Sequence, residues 1–262
     1  MKTTFLSAFV FVLSFAAIAN TPETNARDYY LIQVYHCSSQ QQIQLTDAYL
    51  KATYLPHLHS LGIQKVGVFE PIDNDTAVDK RLMVWIPLVN LNELDKLDHT
   101  IEQMDPMGNN PVIHLEQADS SLPYNRIETT IAKAFKNQPQ FSTTSDLVKS
   151  SSRIYEFRSY EGPTEDMFLR KVHMFNEGKE IELFNKLNFN AIFYAKVIAG
   201  SRMPNLVYMT SFNNLEDRNE HWKKFSDDPT WHRQYSNTWC NCQHHEAIQK
   251  WRSTGLGQAD LG

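Results

Sequence analysis

The segment IYEFRSY, residues 154–160, carries side chains that could bind a small molecule and move a proton on it. Side chains alternate in direction along a β-strand, so Glu156, Arg158 and Tyr160 share one face. A guanidinium can hold an anionic group, and a carboxylate or a phenol can exchange a proton. The residues that alternate with them are expected to pack under helices: Tyr155, Phe157 and Ser159.

The environment of this polar face has two interpretations. If the face is solvated, its residues are ordinary surface residues. If two sheets close into a barrel, the same residues line the interior, where an unpaired charge is costly. The aligned residues of the first half of the chain are Leu31, Gln33 and Tyr35, which favours a single specialised pocket. The candidate ligand-binding residues of that pocket are Glu156, Arg158, Tyr160, Tyr194, Lys196 and Tyr208.

The segment WCNCQHH, residues 239–245, has the composition of a metal site but not its spacing. Zinc sites usually separate their cysteines by two to four residues, and Cys240 and Cys242 are closer than that. Cys37 is the third cysteine, so no complete disulfide framework can form, although one bridge from Cys37 to the late pair is conceivable. We expect neither a metal nor a cofactor.

The segment HWKKFSDDPTWHRQ, residues 221–234, is rich in aromatic and ionisable side chains. Trp222 and Phe225 are three residues apart and share one helical face. Asp228 suits a helix N-cap, with Pro229 at the first helical position. We therefore interpret this segment as helices that cover a sheet, and not as a site of chemistry.

An internal repeat shows which elements must position these residues. The segments DYYLIQVY (28–35) and RIYEFRSY (153–160) align about 125 residues apart, and two further pairs of segments follow in the same order. Each half reads strand, helix, strand, strand, helix and strand, with the first helices expected at 40–60 and 164–187. Gly178 is expected within the second of these helices, where it would let helix and sheet approach closely. This pattern predicts tandem α+β ferredoxin-like βαββαβ repeats, whose antiparallel sheets form a pseudo-dimeric α+β barrel.

The ends of the chain and its charge narrow the class of protein. The first twenty residues predict a signal peptide cleaved near Ala19-Asn20, because Lys2 is followed by an apolar run of about 13 residues and by Ala17-Ile18-Ala19. The apolar run is too short to span a bilayer. The protein is then exported, periplasmic or secreted. The net charge of -5, without a basic run, argues against nucleic-acid binding. The expected divisions are a signal peptide (1–19), a first repeat (28–135), a linker (136–152), a second repeat (153–250) and a C-terminal tail (251–262).

The second half resembles the NIPSNAP family. The resemblance rests on RIYEFRSYEGPTED from Arg153, on GSRMPNLVY and on HWKKFSDDPTW, and the first-half segment YLPHLHSLGIQKVGVF is similar. It implies a dimeric α+β barrel of ferredoxin-like units. Family members have been linked to trafficking and to mitochondrial quality control in animals, but their biochemical activity is poorly defined. The family offers no agreed catalytic residues to transfer to this chain.

The sequence departs from the family pattern after about Ser236, where a final strand is expected. The segment SNTWCNCQHHEAIQKWRSTGLGQADLG has no clean periodicity, so we expect a disordered or loosely docked end. Two functions are compatible with the whole sequence. The favoured one is a barrel that binds a small ligand or a protein partner, and the chain could form a homodimer. The alternative is a cofactor-independent enzyme, monooxygenase- or isomerase-like, that acts on a small organic molecule in the barrel.

Overall fold

The protein is described by a computed structural model, which covers residues 26–103, 122–143, 152–236 and 245–254. The signal segment, linker residues 144–151 and the Cys240–Cys242 pair lie outside these residues. Cys37 lies inside them and is a buried free thiol.

The two halves have the same order of elements. The first contains β1 (Tyr29–Cys37), α1 (Gln40–Tyr49), a π-helical turn (Leu50–Tyr54), α2 (Leu55–Ser60), β2 (Gly67–Pro71), β3 (Lys80–Leu88), α3 (Asn92–Gln103) and β4 (Arg126–Ala134). The second contains β5 (Ile154–Glu161), α4 (Glu165–Asn176), α5 (Glu180–Lys186), β6 (Asn190–Ala199), β7 (Asn205–Phe212), α6 (Leu215–Asp227), α7 (Pro229–Ser236) and β8 (His245–Ser253). The predicted sequence of elements is therefore observed in both halves.

The eight strands form one closed antiparallel barrel in the order β1-β3-β2-β8-β5-β7-β6-β4. Within each half the order is fourth, first, third, second strand, which is the ferredoxin-like arrangement. The halves join where β2 pairs with β8 and where β4 pairs with β6. Each half thus closes the sheet of the other, and the described strands leave no open edge.

The barrel separates two kinds of core. Residues from both sheets fill its interior, including Tyr30, Phe69, Trp85, Tyr155, Phe193 and Trp251. Outside the barrel, the helices of the first half cover one apolar cluster and those of the second half cover another. Among the described residues, none of the helices combines the length and the apolar character needed to cross a membrane.

The two faces of β5 are the reverse of what the sequence suggested. Tyr155 and Phe157 point into the barrel, whereas Tyr160 packs against the aromatic cluster under the second-half helices. Alternation identifies the residues that share a face, but both faces of β5 are covered, one by the barrel interior and one by helices. Which face becomes the interior depends on the face over which the other sheet closes.

The first predicted helix is confirmed and the second is interrupted. Helical structure runs from Gln40 to Ser60, with the π-helical turn inside it. The region 164–187 breaks into α4 and α5 at Gly178 and Lys179. A Cβ atom on Gly178 would lie 2.5 Å from the Met174 carbonyl oxygen. Gly178 is therefore required by the end of α4, and the expected close approach of helix and sheet is wrong.

The segment 221–234 folds as the sequence predicts. The Thr230 backbone N–H donates to Asp228 Oδ1 at 2.7 Å, so Asp228 caps α7. The Phe225 and Trp231 rings pack with their centres 4.5 Å apart and join α6 to α7. These aromatic side chains belong to the cover of the sheet.

The expectation of a loosely docked C-terminal end is wrong for residues 245–253. They form β8, which pairs with β5 and β2 and passes the predicted boundary at residue 250. Trp251 is 1% exposed in the barrel interior. The strand lacks clean apolar alternation because the polar residue Gln249 lines a cavity in the barrel, while Ile248 on the other face is 43% exposed.

Candidate functional site

A cavity of about 160 Å³ opens at one end of the barrel. Both halves of the chain line it, with side chains from β1, β3, β4, β5, β7 and β8. The apolar lining residues are Ile32, Val34, Met83, Phe157, Val207 and Trp251. The ionisable lining residues are His36, Asp79, Arg81, Arg126, Glu128 and Arg202. Along β1, β3 and β4 the ionisable residues lie nearest the strand ends, so the cavity has a polar mouth and an apolar interior.

His36 occupies this mouth at the end of β1 and is 6% exposed. Its Nδ1 atom lies 2.9 and 3.0 Å from the two carboxylate oxygens of Asp79. An ionised carboxylate can only accept, so the hydrogen of the neutral ring lies on Nδ1 and Nε2 is an acceptor. The Nε2 atom is buried without a hydrogen-bond partner in the described structure. The pair is thus arranged to accept a proton at Nε2.

Two carboxylates hold this histidine between them. Asp79, in the turn before β3, also accepts from Arg81 Nε at 2.9 Å. Partial desolvation raises the pKa of Asp79, but the His36 and Arg81 interactions outweigh it and lower the pKa. Glu128 Oε2 lies 3.6 Å from His36 Nε2, and Arg126 Nη2 approaches His36 Nδ1 at 3.3 Å.

Glu128 is itself held in its ionised form. Ser201 Oγ donates to its carboxylate at 2.7 Å, and this hydrogen bond is the main reason that its pKa is lowered. Partial burial opposes the shift, and Arg202 and Arg126 reinforce it. The mouth of the cavity therefore carries ionised acids that are already engaged with arginines.

The residues selected from the sequence lie elsewhere. Glu156 is fully buried on the outer face of the sheet and accepts from Arg158 Nε at 2.6 Å and from Arg218 Nε of α6. The Arg158 guanidinium stacks over the Trp222 ring and donates to the Tyr160 hydroxyl at 3.3 Å. This buried network attaches α6 to β5, and the sheet separates it from the cavity.

The other three candidates lie on the same outer face. The rings of Tyr194 and Tyr208 pack 5.4 Å apart under the helices, and Tyr208 stacks on Tyr160. Lys196 is half-buried two residues beyond Tyr194, and the structure records no hydrogen bond or ion pair joining it to the other five. None of the six candidates lines the described cavity, so their placement in the barrel interior is wrong.

The sequence reasoning missed His36 and Asp79. A signal was present, because His36 continues the alternation of Ile32 and Val34 along β1. Asp79 lies in the acidic segment PIDNDTAVDK, residues 71–80, whose composition is typical of an exposed turn. No group of three or more His, Cys, Asp or Glu side chains in the described part of the chain could hold a metal ion.

Comparisons with known proteins agree with this architecture. The NIPSNAP family model matches residues 155–256. The second half of the chain therefore contains a NIPSNAP domain. The matched region includes β8, so the family's final strand is present despite its unusual sequence. A sequence search of curated proteins finds no match.

Three solved structures are similar to this chain over both halves. A candidate monooxygenase from Fusobacterium nucleatum has 4% identity and a TM-score of 0.54, with 87% of this chain and 93% of that chain covered. One from Lactobacillus acidophilus has 8% identity and a TM-score of 0.52, covering 87% and 94%. An anthrone oxidase-like protein has 9% identity and a TM-score of 0.51, covering 87% and 91%. Identities this low show the fold alone, which is that of an α+β barrel.

Proposed function

We propose that this protein binds a small organic molecule in the cavity that both halves form. The observation that carries the proposal is the cavity itself, with its apolar interior and polar mouth. Binding sites for small molecules combine these two features. A cavity of about 150 Å³ is known to hold a benzene ring, so the volume of about 160 Å³ found here suits a ligand of that size.

A second candidate function is catalysis in the same cavity, and His36 is the observation that favours it. Asp79 orients the ring, and Nε2 has no hydrogen-bond partner within the described structure, which is the arrangement of a general base. Removal of a substrate proton by His36 would be the first step of a cofactor-independent isomerisation or oxygenation. Two of the similar structures are candidate monooxygenases, but a shared fold does not transfer an activity.

The test of binding is native mass spectrometry of the chain from Asn20, purified without added ligand. We expect extra mass at one molecule per chain. The variant Val34→Phe should lose this mass, because it fills the cavity that Val34 lines. Leu169→Phe should retain it, because Leu169 is 53% exposed on α4. Retention of the mass in Val34→Phe would place the ligand elsewhere.

The same spectrum tests for a homodimer or a protein partner. The described strands leave no open edge, so we propose that any homodimer forms through helices or loops. A spectrum of bare monomer would turn the search toward protein partners.

We further propose that the protein is exported after cleavage near Ala19-Asn20. The support is the charged, apolar and small-residue pattern of the first twenty residues. Cell fractionation with N-terminal sequencing tests this proposal. An intact Met1 on cytoplasmic protein would contradict it.

A further inference from the structure

We infer that the cavity accommodates a neutral phenol of a single ring, whose hydroxyl hydrogen is accepted by Nε2 of His36. This inference rests on the proposed function, and it specifies the chemical class of the ligand. It follows from polar atoms that lack partners, from the engaged charges at the mouth and from the size of the cavity.

Three residues that line the cavity carry buried polar atoms without a hydrogen-bond partner in the described structure. These atoms are His36 Nε2, Asn205 Oδ1 and Trp251 Nε1. The residues are 6%, 4% and 1% exposed. Buried polar atoms in proteins are almost always hydrogen-bonded, and each unmade bond is costly. A ligand in this cavity would supply the three missing partners.

The chemical types of these atoms define what the ligand must offer. His36 Nε2 is an acceptor, because the bond to Asp79 places the ring hydrogen on Nδ1. Trp251 Nε1 can only donate. Asn205 can present either end of its amide, because its partner, Ser159 Oγ, can donate or accept. The ligand therefore needs at least one donor and one acceptor, and a hydroxyl group provides both.

The charges at the mouth favour a neutral ligand. Arg81 pairs with Asp79 at 2.9 Å, Arg126 with Glu128 at 3.5 Å and Arg202 with Glu161 at 2.9 Å. Each arginine of the described lining is thus engaged with a carboxylate. Glu128 also lies 3.6 Å from His36 Nε2, where its negative charge would oppose an anionic ligand group.

The remaining lining suits an aromatic ring. Phe157 and Trp251 offer ring faces and edges, and Met83 offers a thioether; both kinds of group pack favourably on aromatic ligands. The volume of about 160 Å³ matches one ring. A hydroxyl on one ring meets the polar and the apolar requirements together.

The inference is tested with 4-fluorophenol and 4-fluorotoluene, which differ by a hydroxyl against a methyl group of similar size. Binding of both is measured by ¹⁹F NMR on the full chain at neutral pH. We expect 4-fluorophenol to bind about tenfold more tightly, the value of one or two buried hydrogen bonds. His36→Phe should abolish this preference, and Trp251→Phe should reduce it while keeping the ring. His173→Gln, at a half-exposed histidine on α4, should keep it.

The outcomes separate the inference from the proposed function. Equal affinity for the two probes, or a preference that persists in His36→Phe, would overturn the phenol assignment while the cavity remains a binding site. If neither probe binds, the inference fails, and the native spectrum alone then decides whether the cavity binds another molecule.

Discussion

The Arg158 guanidinium lies 3.6 Å from the centre of the Trp222 indole ring, on the outside of the barrel. The contact joins β5 to α6 and completes a network with Glu156 and Arg218. Stacking over an aromatic face suits a guanidinium whose N–H groups are occupied in the plane of the group. The ion pair that looked like a ligand site is thus part of the attachment of a helix to the sheet.

Removing one member of this network should destabilise the fold without changing the cavity. Arg158→Ala leaves Glu156 buried with only Arg218 as an ionic partner, and a broken buried pair typically costs about 3–5 kcal/mol. Urea unfolding measures the loss, and 4-fluorophenol affinity under native conditions should stay unchanged. Arg170→Ala breaks the exposed pair with Asp166 and should cost less than about 1 kcal/mol. A selective loss of ligand in a stable Arg158→Ala protein would restore the site expected from the sequence.

The last strand should be necessary for a closed barrel. Trp251 is 1% exposed between the two halves, and Trp251→Ala should lower the free energy of unfolding by about 3–5 kcal/mol. A chain that ends at residue 244 would leave β2 and β5 with unpaired edges, and we expect it to aggregate. Size-exclusion chromatography and urea unfolding test both changes. A truncated chain that remains monomeric and as stable as the full chain would contradict the role of β8.

The carboxylates at the cavity mouth should make stability depend on pH in a defined direction. The pKa values of Asp79 and Glu128 are lowered in the folded protein, so both groups stabilise it above their ordinary values of 3.8 and 4.5. This contribution is lost as the pH falls through and below those values. The free energy of unfolding, measured as a function of pH, should fall less steeply on acidification in Asp79→Asn and in Glu128→Gln than in the unchanged protein.

Asp28 provides a control of opposite sign. Burial raises its pKa, although the Phe141 backbone N–H donates to it. A carboxyl whose folded pKa is raised contributes stability at low pH that declines as the pH rises through its ordinary value. Asp28→Asn should therefore remove a contribution to the pH dependence of the free energy of unfolding that is opposite in sign to those of Asp79 and Glu128. An unchanged pH profile in all three variants would rule out this assignment of the acid response.

The break between α4 and α5 should tolerate no side chain at Gly178. A Cβ atom there would meet the Met174 carbonyl oxygen at 2.5 Å, so Gly178→Ala should destabilise the protein by about 1–3 kcal/mol. The neighbouring Lys179 has a φ of 67°. This left-handed conformation costs about 1–2 kcal/mol for residues other than glycine and almost nothing for glycine. Lys179→Gly should therefore be neutral or stabilising in thermal unfolding. Equal destabilisation by both changes would contradict the steric explanation.

The sequence by itself determined the features that depend on near neighbours and on repetition. The duplicated order of elements predicts two ferredoxin-like halves, and the closure of their sheets into a barrel follows from the need to cover both faces. The helical structure from Gln40 to Ser60 and the Asp228 cap of α7 are equally local. Such features follow from the strand and helix periods and from hydrogen bonds to the adjacent backbone.

Only the tertiary structure decided which face of each strand became the interior. A strand period of two separates Glu156 and Arg158 from Tyr155 and Phe157, but it treats the two faces as equivalent. Closure of the barrel placed the aromatic set inside and buried the ion pair under α6. The same closure brought His36 on β1 and Trp251 on β8 around one cavity. These residues are more than two hundred positions apart, and the pairings of β2 with β8 and of β4 with β6 bring their strands into one barrel.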